Sequence, residues 1–196
     1  MERNDIRQHM REQRRQLTPQ QQLLSARNIS QLLLKQPWFQ RAKNIAMYLA
    51  NDGEIDPRVF ADVAHYRGKQ CLLPSMHPLK SGHLWFGNYD GAKVTNKFGI
   101  EEPDAKHNQM LNPKQVDIVL LPLVAFDEQG NRMGMGGGFY DRIFAYKLKQ
   151  KNSRPKLIGL AHDFQKQITL PLATWDVPLE GVMTEKAFYQ NQAKTD

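Results

Sequence analysis

An open, mostly parallel α/β sheet is predicted by three features of the sequence. Short apolar runs alternate with segments of helical periodicity. The most apolar runs, residues 116–126 (VDIVLLPLVAF) and 156–161 (KLIGLA), show no polar alternation, as expected of strands covered on both faces. A glycine-rich turn then separates the first of these from a helix, the arrangement found at the ligand-binding edge of such sheets.

Each element has its own reason. Residues 4–17 read as a helix because Ile6, Met10 and Leu17 share a rough apolar stripe. Thr18-Pro19 starts a second helix, with Thr18 as N-cap and Pro19 at the first helical position, running to about Leu34 through Leu23, Leu24, Ile29, Leu32 and Leu33. Residues 44–50 (NIAMYLA) are a β-type run ended by the turn signal Asn51-Asp52-Gly53. Pro57 opens a helix to about Tyr66, and residues 70–73 (QCLL) form a strand expected to stop at Pro74. The polar stretch 75–115, with Gly82, Gly87, Gly91 and Gly99, reads as a loop or hairpin excursion on one edge. Residues 139–150 form a helix, and 181–184 (GVMT) a short strand. The strand order places interest on the segments after Ala50, Phe126 and Ala161.

A chain of 196 residues is expected to form one domain, 1–196, with a basic helical region over about 1–43. No window approaches the ~18 apolar residues of a membrane span. The charged N-terminus has no apolar core of a secretory signal, and a single cysteine, Cys71, forms no intrachain disulfide. The expected location is reducing cytoplasm. The net charge is +7, and residues 1–43 hold nine Lys/Arg against three acids, so nearly all the excess lies there. That asymmetry points to an anionic partner: a nucleotide, a polyanionic metabolite or nucleic acid.

The most informative stretch is Arg132-Met133-Gly134-Met135-Gly136-Gly137-Gly138-Phe139-Tyr140-Asp141. Glycines here let backbone N–H groups approach an anion closely, and the following helix adds its N-terminal partial charge. Arg132 supplies a bidentate phosphate contact, and Asp141 suits a magnesium ion on phosphate oxygens. A flexible turn is the alternative reading of the glycines. The segment is neither a Walker A loop nor the dinucleotide fingerprint GxGxxG.

Other candidates each carry an alternative. Arg3 and Arg7 share a helix face and form a phosphate clamp, or, with Arg11, Arg14 and Arg15, simply a solvated basic face. Glu54, directly after the first strand, binds a substrate N–H or acts as a base, or is a loop carboxylate. Leu49 near the same edge is core by default. Asp176 joins Asp141 at a metal, or is a turn acid before Pro178; Asp163 is another acid on that side. The histidines His77, His83, His107 and His162 lack metal-ligand spacing and read as solvent or packing residues. Trp85-Phe86 is the aromatic pair allowed as a platform for a flat ring, with Trp38 and Trp175 read as anchors.

Together these pieces resemble the 5-formyltetrahydrofolate cyclo-ligase (methenyltetrahydrofolate synthetase) family over nearly the whole chain. The resemblance rests on Arg3 and Arg7, YLANDGEID at 48–56, FGIEEP at 98–103, LPLVAFDEQGNRMGMGGGFYDR at 121–142 and WDVPLEGVMTE at 175–185. It implies a three-layer α/β/α fold like that of sugar-phosphate isomerases and CoA transferases. It implies ATP- and Mg²⁺-dependent conversion of 5-formyltetrahydrofolate to 5,10-methenyltetrahydrofolate, with ADP and phosphate released. By position, ATP contacts are Arg3, Asn4, Asp5, Ile6, Arg7 and the run Arg132, Met133, Gly134, Met135, Gly136, Gly137, Gly138, Phe139 and Tyr140. Folate contacts are Leu49 and Glu54 with Met135 to Phe139, metal ligands are Asp141 and Asp176, and the catalytic set is Arg132, Glu54 and Tyr140.

The chain departs from the family where it has Arg3 in place of a common Lys, Phe139 in place of a common Tyr, and Met135 or Gly137 in place of a loop Lys or Arg. Positive charge is then expected to come from Arg7 and Arg132. The expected partner is a small folate, polyglutamylated or not, with no nucleic acid and no membrane, and the expected state is a monomer. Two other classes stay open at this stage. A nucleic-acid-binding module would use the basic region, although no RRM, KH, helix-turn-helix or zinc-finger pattern appears. A sugar-phosphate isomerase using Glu54 as base would turn over without ATP.

Overall fold

The protein is described here from a computed structural model, over residues 2–77, 83–96, 99–150 and 152–191. Helix α1 (Arg3–Arg15) buries Ile6 and Met10, and helix α2 (Pro19–Leu34) begins at the expected cap. The Thr18 hydroxyl accepts the Gln21 N–H at 3.3 Å and the Gln21 side chain accepts the Thr18 N–H at 2.8 Å, with Pro19 opening the first turn. A short helix α3 (Pro37–Arg41), absent from the sequence reading, follows; it is opened by Pro37 and buries Phe39.

Strand β1 (Asn44–Ala46), helix α4 (Arg58–Tyr66) and strand β2 (Gln70–Met76) form a parallel crossover. The hairpin expected on the edge is β2 with β3 (Leu84–Asn88), and β4 (Lys93–Thr95) pairs with β5 (Glu101–Pro103) as a separate ribbon. Gly82 and Phe98 lie outside the described residues. Pro74 does not stop β2. Its ladder partner Phe86 sends both backbone groups outward to Leu111, and β1 has already ended beside it, so no N–H is needed at Pro74.

The run 116–126 is not one strand but two, β6 (Ile118–Pro122) and β7 (Ala125–Phe126). After Pro122 the chain leaves the sheet, and β7 pairs with β8 (Arg132–Met133) in its own ribbon. Both halves are apolar for different reasons. Residues 118–121 are covered by helical layers on two sides, whereas Val124 and Ala125 pack with Ile6 and Met10 of α1. Apolarity alone does not distinguish these. Helix α5 (Phe139–Phe144) continues as a 3-10 turn (Ala145–Leu148) and leads to β9 (Lys156–Leu160), then β10 (Gly181–Met183) and an unanticipated antiparallel β11 (Phe188–Gln190).

The main sheet has seven strands in the order β11-β10-β9-β6-β1-β2-β3. Alternate side chains feed two cores. Ile45, Met47, Ile118, Leu120, Ile158 and Leu160 pack under α2, α3 and α4, while Ala46, Val119, Leu121, Leu157 and Val182 pack with Phe144 of α5. The result is helix, sheet, helix. From β1 the chain crosses to β2 on one side, and from β6 it crosses to β9 on the other. The sheet's topological switch point therefore falls between β1 and β6, with its crevice at the ends of these strands. Among the described residues no helix is long and apolar enough to cross a membrane.

Candidate active site

The crevice at the switch point is a cavity of about 770 Å³, within the range of small-molecule sites. Its floor is the end of β6 (Pro122, Leu123) and Glu54 from the loop after β1. One wall is the loop 134–138 with the start of α5, a second is the N-terminus of α1, and the third is the segment 172–176.

The glycine loop leaves its ribbon at β8 and lies open: a Cβ added at Gly134 would meet nothing within 4 Å. Gly136 has φ +102°, a conformation that side-chain-bearing residues rarely adopt, and faces the Arg7 guanidinium at 3.7–3.9 Å from its Cβ position. Arg7 Nε donates to the Gly134 carbonyl at 2.9 Å and its Nη1 to Asn4 Oδ1 at 2.8 Å. Partial burial and then the neighbouring Arg3 charge lower the Arg7 pKa, with Asp176 opposing. α1 is pinned so that Arg7 meets the loop: Ile6 and Met10 sit in a small core with Val124, Ala125 and Met133.

Arg132 is buried at the back of the loop. Its Nη1 donates to the Val177 carbonyl and its Nη2 to Asp141 Oδ1 at 2.8 Å, while the Val177 N–H donates to the same oxygen at 3.1 Å. Across the cavity Arg3 Nη1 bonds Asp176 Oδ2 at 3.1 Å, and that oxygen also accepts the Ala173 N–H at 2.9 Å. Each carboxylate thus meets one arginine through one oxygen. Asp141 Oδ2 and Asp176 Oδ1 accept no hydrogen bond among the described residues. No cluster of three or more His, Cys, Asp or Glu with metal-holding geometry occurs among the described residues. Mg²⁺ itself takes only one or two carboxylates and completes its shell with water and phosphate, so a cluster of three is not a requirement for that ion.

Glu54 is placed by its own turn: its Oε2 accepts the Asn51 N–H at 3.1 Å. Burial pushes its carboxyl above the ordinary range and the Asp52 charge adds to the rise, against the Asn51 hydrogen bond and the Arg14 charge. The hydroxyls of Tyr140 and Tyr48 are raised by burial and then by Glu54, so both are neutral groups beside it. Beneath, Asp52 is gripped by Arg11 Nε at 2.6 Å and Arg15 Nε at 2.5 Å. Gly53, with φ +73°, lets the loop run against the α1 backbone, where a Cβ would stand 3.0 Å from the Arg14 carbonyl oxygen.

His162, just past the end of β9, packs against the loop after β1. It is fully buried, stacked on Phe164 at 5.4 Å, with Nε2 3.2 Å from the Gly53 carbonyl. Burial pushes its pKa down from 6.5 to about 4, so it stays neutral and donates from Nε2. The unfolded chain binds the extra proton between these values, so His162 favours folding above pH 6.5, and that contribution is lost as pH falls towards 4. The loss is expected to be on the order of 3 kcal/mol. Chemical denaturation at pH 7 and pH 4.5 should show a smaller fall for His162→Gln than for the parent; an equal fall would assign the acid sensitivity elsewhere.

The cavity gathers Arg3, Asn4, Arg7, Glu54, Arg132, Gly134 to Gly138, Phe139, Tyr140, Asp141 and Asp176. Four expected residues do not line it. Ile6 and Met133 spend their side chains in the core, Asp5 caps α1 through the Glu2 N–H, and Leu49 sits half-buried off the wall. Asp163 is a structural acid, taking Thr184 and Tyr189 hydroxyls at 3.0 and 2.7 Å. The Trp85-Phe86 platform is corrected: Phe86 is core, and Trp85 meets His77 edge-to-face in a different pocket. The tryptophan on the cavity is instead Trp175, 68% exposed, which with Leu172, Met135 and Phe139 makes an apolar rim. Such exposed apolar surface beside a cleft is what a flat ring would cover. Sequence reasoning also missed Arg14, which is not on a solvated face but fully buried. The signal was present: Ile6, Met10 and Arg14 stand four apart, on the apolar stripe.

The 5-formyltetrahydrofolate cyclo-ligase family matches the chain over residues 1–185. Similar proteins named 5-formyltetrahydrofolate cyclo-ligase occur in Escherichia coli K12, 36% identical over 183 residues and covering 92% of this chain and 99% of that one. Another occurs in Haemophilus influenzae, 38% identical over 183 residues with 92% and 96% covered. The NMR structure of Aquifex aeolicus 5,10-methenyltetrahydrofolate synthetase superposes with TM-score 0.81 at 27% identity, over 98% of this chain and 94% of that one. The structure of the Mycoplasma pneumoniae synthetase, at 23% identity, shares the fold with TM-score 0.73 over 94% and 99% of the two chains.

Proposed function

The chain belongs to the 5-formyltetrahydrofolate cyclo-ligase family, and on that premise we propose that the cavity at its switch point closes 5-formyltetrahydrofolate to 5,10-methenyltetrahydrofolate with ATP. The observation that carries the reading is the open glycine loop facing Arg7, with Arg132 behind it and Glu54 on the floor of the same cavity.

The chemistry requires a leaving group. A formyl oxygen departs poorly, so the γ-phosphoryl group of ATP is transferred to it and ADP leaves. N10 then attacks the activated carbon, loses its proton, and the C–O bond breaks to release inorganic phosphate. Phosphoryl transfer asks for alignment and charge neutralisation rather than covalent help. Loop amides from Gly134 to Gly138, with Arg7 and Arg132, are the donors that would meet the phosphates. Arg3 holds Asp176 at the mouth. Asp141 and Asp176 are the residues that would hold Mg²⁺, which when bound offsets phosphate charge. Glu54 accepts an N–H of the folate and sets the reacting face in register. Tyr140, neutral beside it, keeps a hydroxyl donor at the reacting end. The positive charge of the N-terminal region suits two anionic substrates, including a folate with a glutamate tail.

The test is spectroscopic. Protein mixed with ATP, magnesium and 5-formyltetrahydrofolate should develop methenyl absorbance, with none when ATP is omitted. Turnover without ATP, or no product at all, would remove the assignment. In the same assay Asp141→Asn should abolish turnover at low magnesium and regain part of it as magnesium is raised; a magnesium response identical to the parent's would discard the metal role of Asp141.

A further inference from the structure

On the reading above, Glu54 is the carboxylate that meets the folate, and the inference rests on that reading. We propose that Arg14 is its positioning residue: a buried guanidinium on α1 that lies behind the loop 51–54 and holds the Glu54 side chain anionic and directed into the cavity.

Arg14 is an unusual structural arginine. Its side chain is fully buried, yet its contacts are long: Nη2 to Asp52 Oδ2 at 3.3 Å, Nη1 to the Leu123 carbonyl at 3.4 Å, and Nη1 to Glu54 Oε1 at 3.8 Å. Its Nε has no hydrogen-bond partner, the one buried side-chain nitrogen or oxygen so placed among the described residues. A buried ion pair that serves stability needs short, saturated contacts, because removing a guanidinium from water is costly. Asp52 does not require Arg14 either, since Arg11 and Arg15 hold it at 2.6 and 2.5 Å.

What Arg14 does supply is charge at Glu54. The groups facing that carboxyl are Asp52 on its own loop, the neutral hydroxyls of Tyr48 and Tyr140, and Arg14 from α1. Neutral His162 is bonded to the Gly53 carbonyl, and Arg132 is a charge near Tyr140. Burial and the Asp52 charge favour protonating Glu54; the Asn51 N–H opposes them as a hydrogen bond, and Arg14 opposes them as a charge. At 3.8 Å the pair is a Coulombic contact and not a hydrogen bond. Oε1 is thus stabilised without spending a lone pair, while Oε2 is fixed by the Asn51 N–H. A carboxylate oriented this way retains an acceptor for a substrate N–H. An uncharged side chain in place of Arg14 would leave Oε1 without that charge, and a short hydrogen-bonded pair would occupy its acceptor.

The test measures 5-formyltetrahydrofolate affinity by calorimetry, without ATP, across the acid range. The parent should lose affinity as Glu54 takes a proton. Arg14→Met should move the midpoint of that loss up by about one pH unit, and Arg14→Lys should move it less in the same direction. Glu54→Gln should bind weakly with a flat profile, and adding Arg14→Met to it should change affinity by less than about twofold. Unshifted midpoints in both Arg14 variants, or an equal loss in the Glu54→Gln background, would overturn the proposal. If Arg14→Met fails to fold by circular dichroism, Arg14→Lys alone and combined with Glu54→Gln decides the matter. Absence of folate binding by the parent would instead defeat the underlying reading of Glu54.

Discussion

Replacing Arg132 by methionine is expected to lower kcat by about 10³-fold while 5-formyltetrahydrofolate affinity stays within a few fold. The side chain is buried behind the glycine loop with its guanidinium fixed from two sides, by the Val177 carbonyl and by Asp141. A cation so placed is already organised before the reaction and gains interaction only as charge spreads over the transferring phosphoryl oxygens. Met135 and Gly137 bring no charge to the loop, and the other arginines on the cavity, Arg3 and Arg7, reach it from α1 and not from behind the loop. Arg132→Lys should recover part of the rate, because charge returns without the planar fork that reaches both partners. Single-turnover methenyl formation measures both variants. A methionine variant within tenfold of the parent would show that Arg132 only holds β8 to the segment around Val177.

The second large effect is at Gly136. Valine there should raise KM for ATP by about 100-fold and leave thermal stability nearly unchanged. The position has φ +102°, which a β-branched residue resists, so the loop must rotate and its amides turn away from the phosphates. Space is not the obstacle, since the nearest atoms to an added Cβ are those of Arg7 at 3.7–3.9 Å. The loop is exposed, so the strain relaxes locally instead of reaching the core. Initial rates at varied ATP and saturating folate give the answer. An unchanged KM would mean that the loop amides do not touch the nucleotide.

Much of this was legible in the sequence, and the misses have physical causes. The Thr18 cap, the doubly covered strands and the glycine loop were readable because each depends on local chemistry. The division of 116–126 was not, because two different partners bury its two halves and apolarity records only burial. β11 escaped because its side chains are only partly buried. The collection of Arg3, Arg7, Glu54, Asp141 and Asp176 at one cavity followed from the resemblance to a family, which carries three-dimensional proximity that spacing does not. Arg14 was hidden by its own charge: a basic residue among basic residues reads as solvated, although its register with Ile6 and Met10 puts it on the buried face. Ile6 and Met133 show the opposite case: apolar residues of segments expected to meet ATP, they turn their side chains into the core.

A crystal structure with magnesium and a non-hydrolysable ATP analogue tests the central claim most directly. The account predicts the β- and γ-phosphates within hydrogen-bonding distance of backbone N–H groups between Gly134 and Gly138, with the guanidinium of Arg7 alongside and the metal at Asp141. Phosphates seated elsewhere, such as in the cavity lined by Trp38, Arg41 and Arg154 at the opposite end of the sheet, would contradict it.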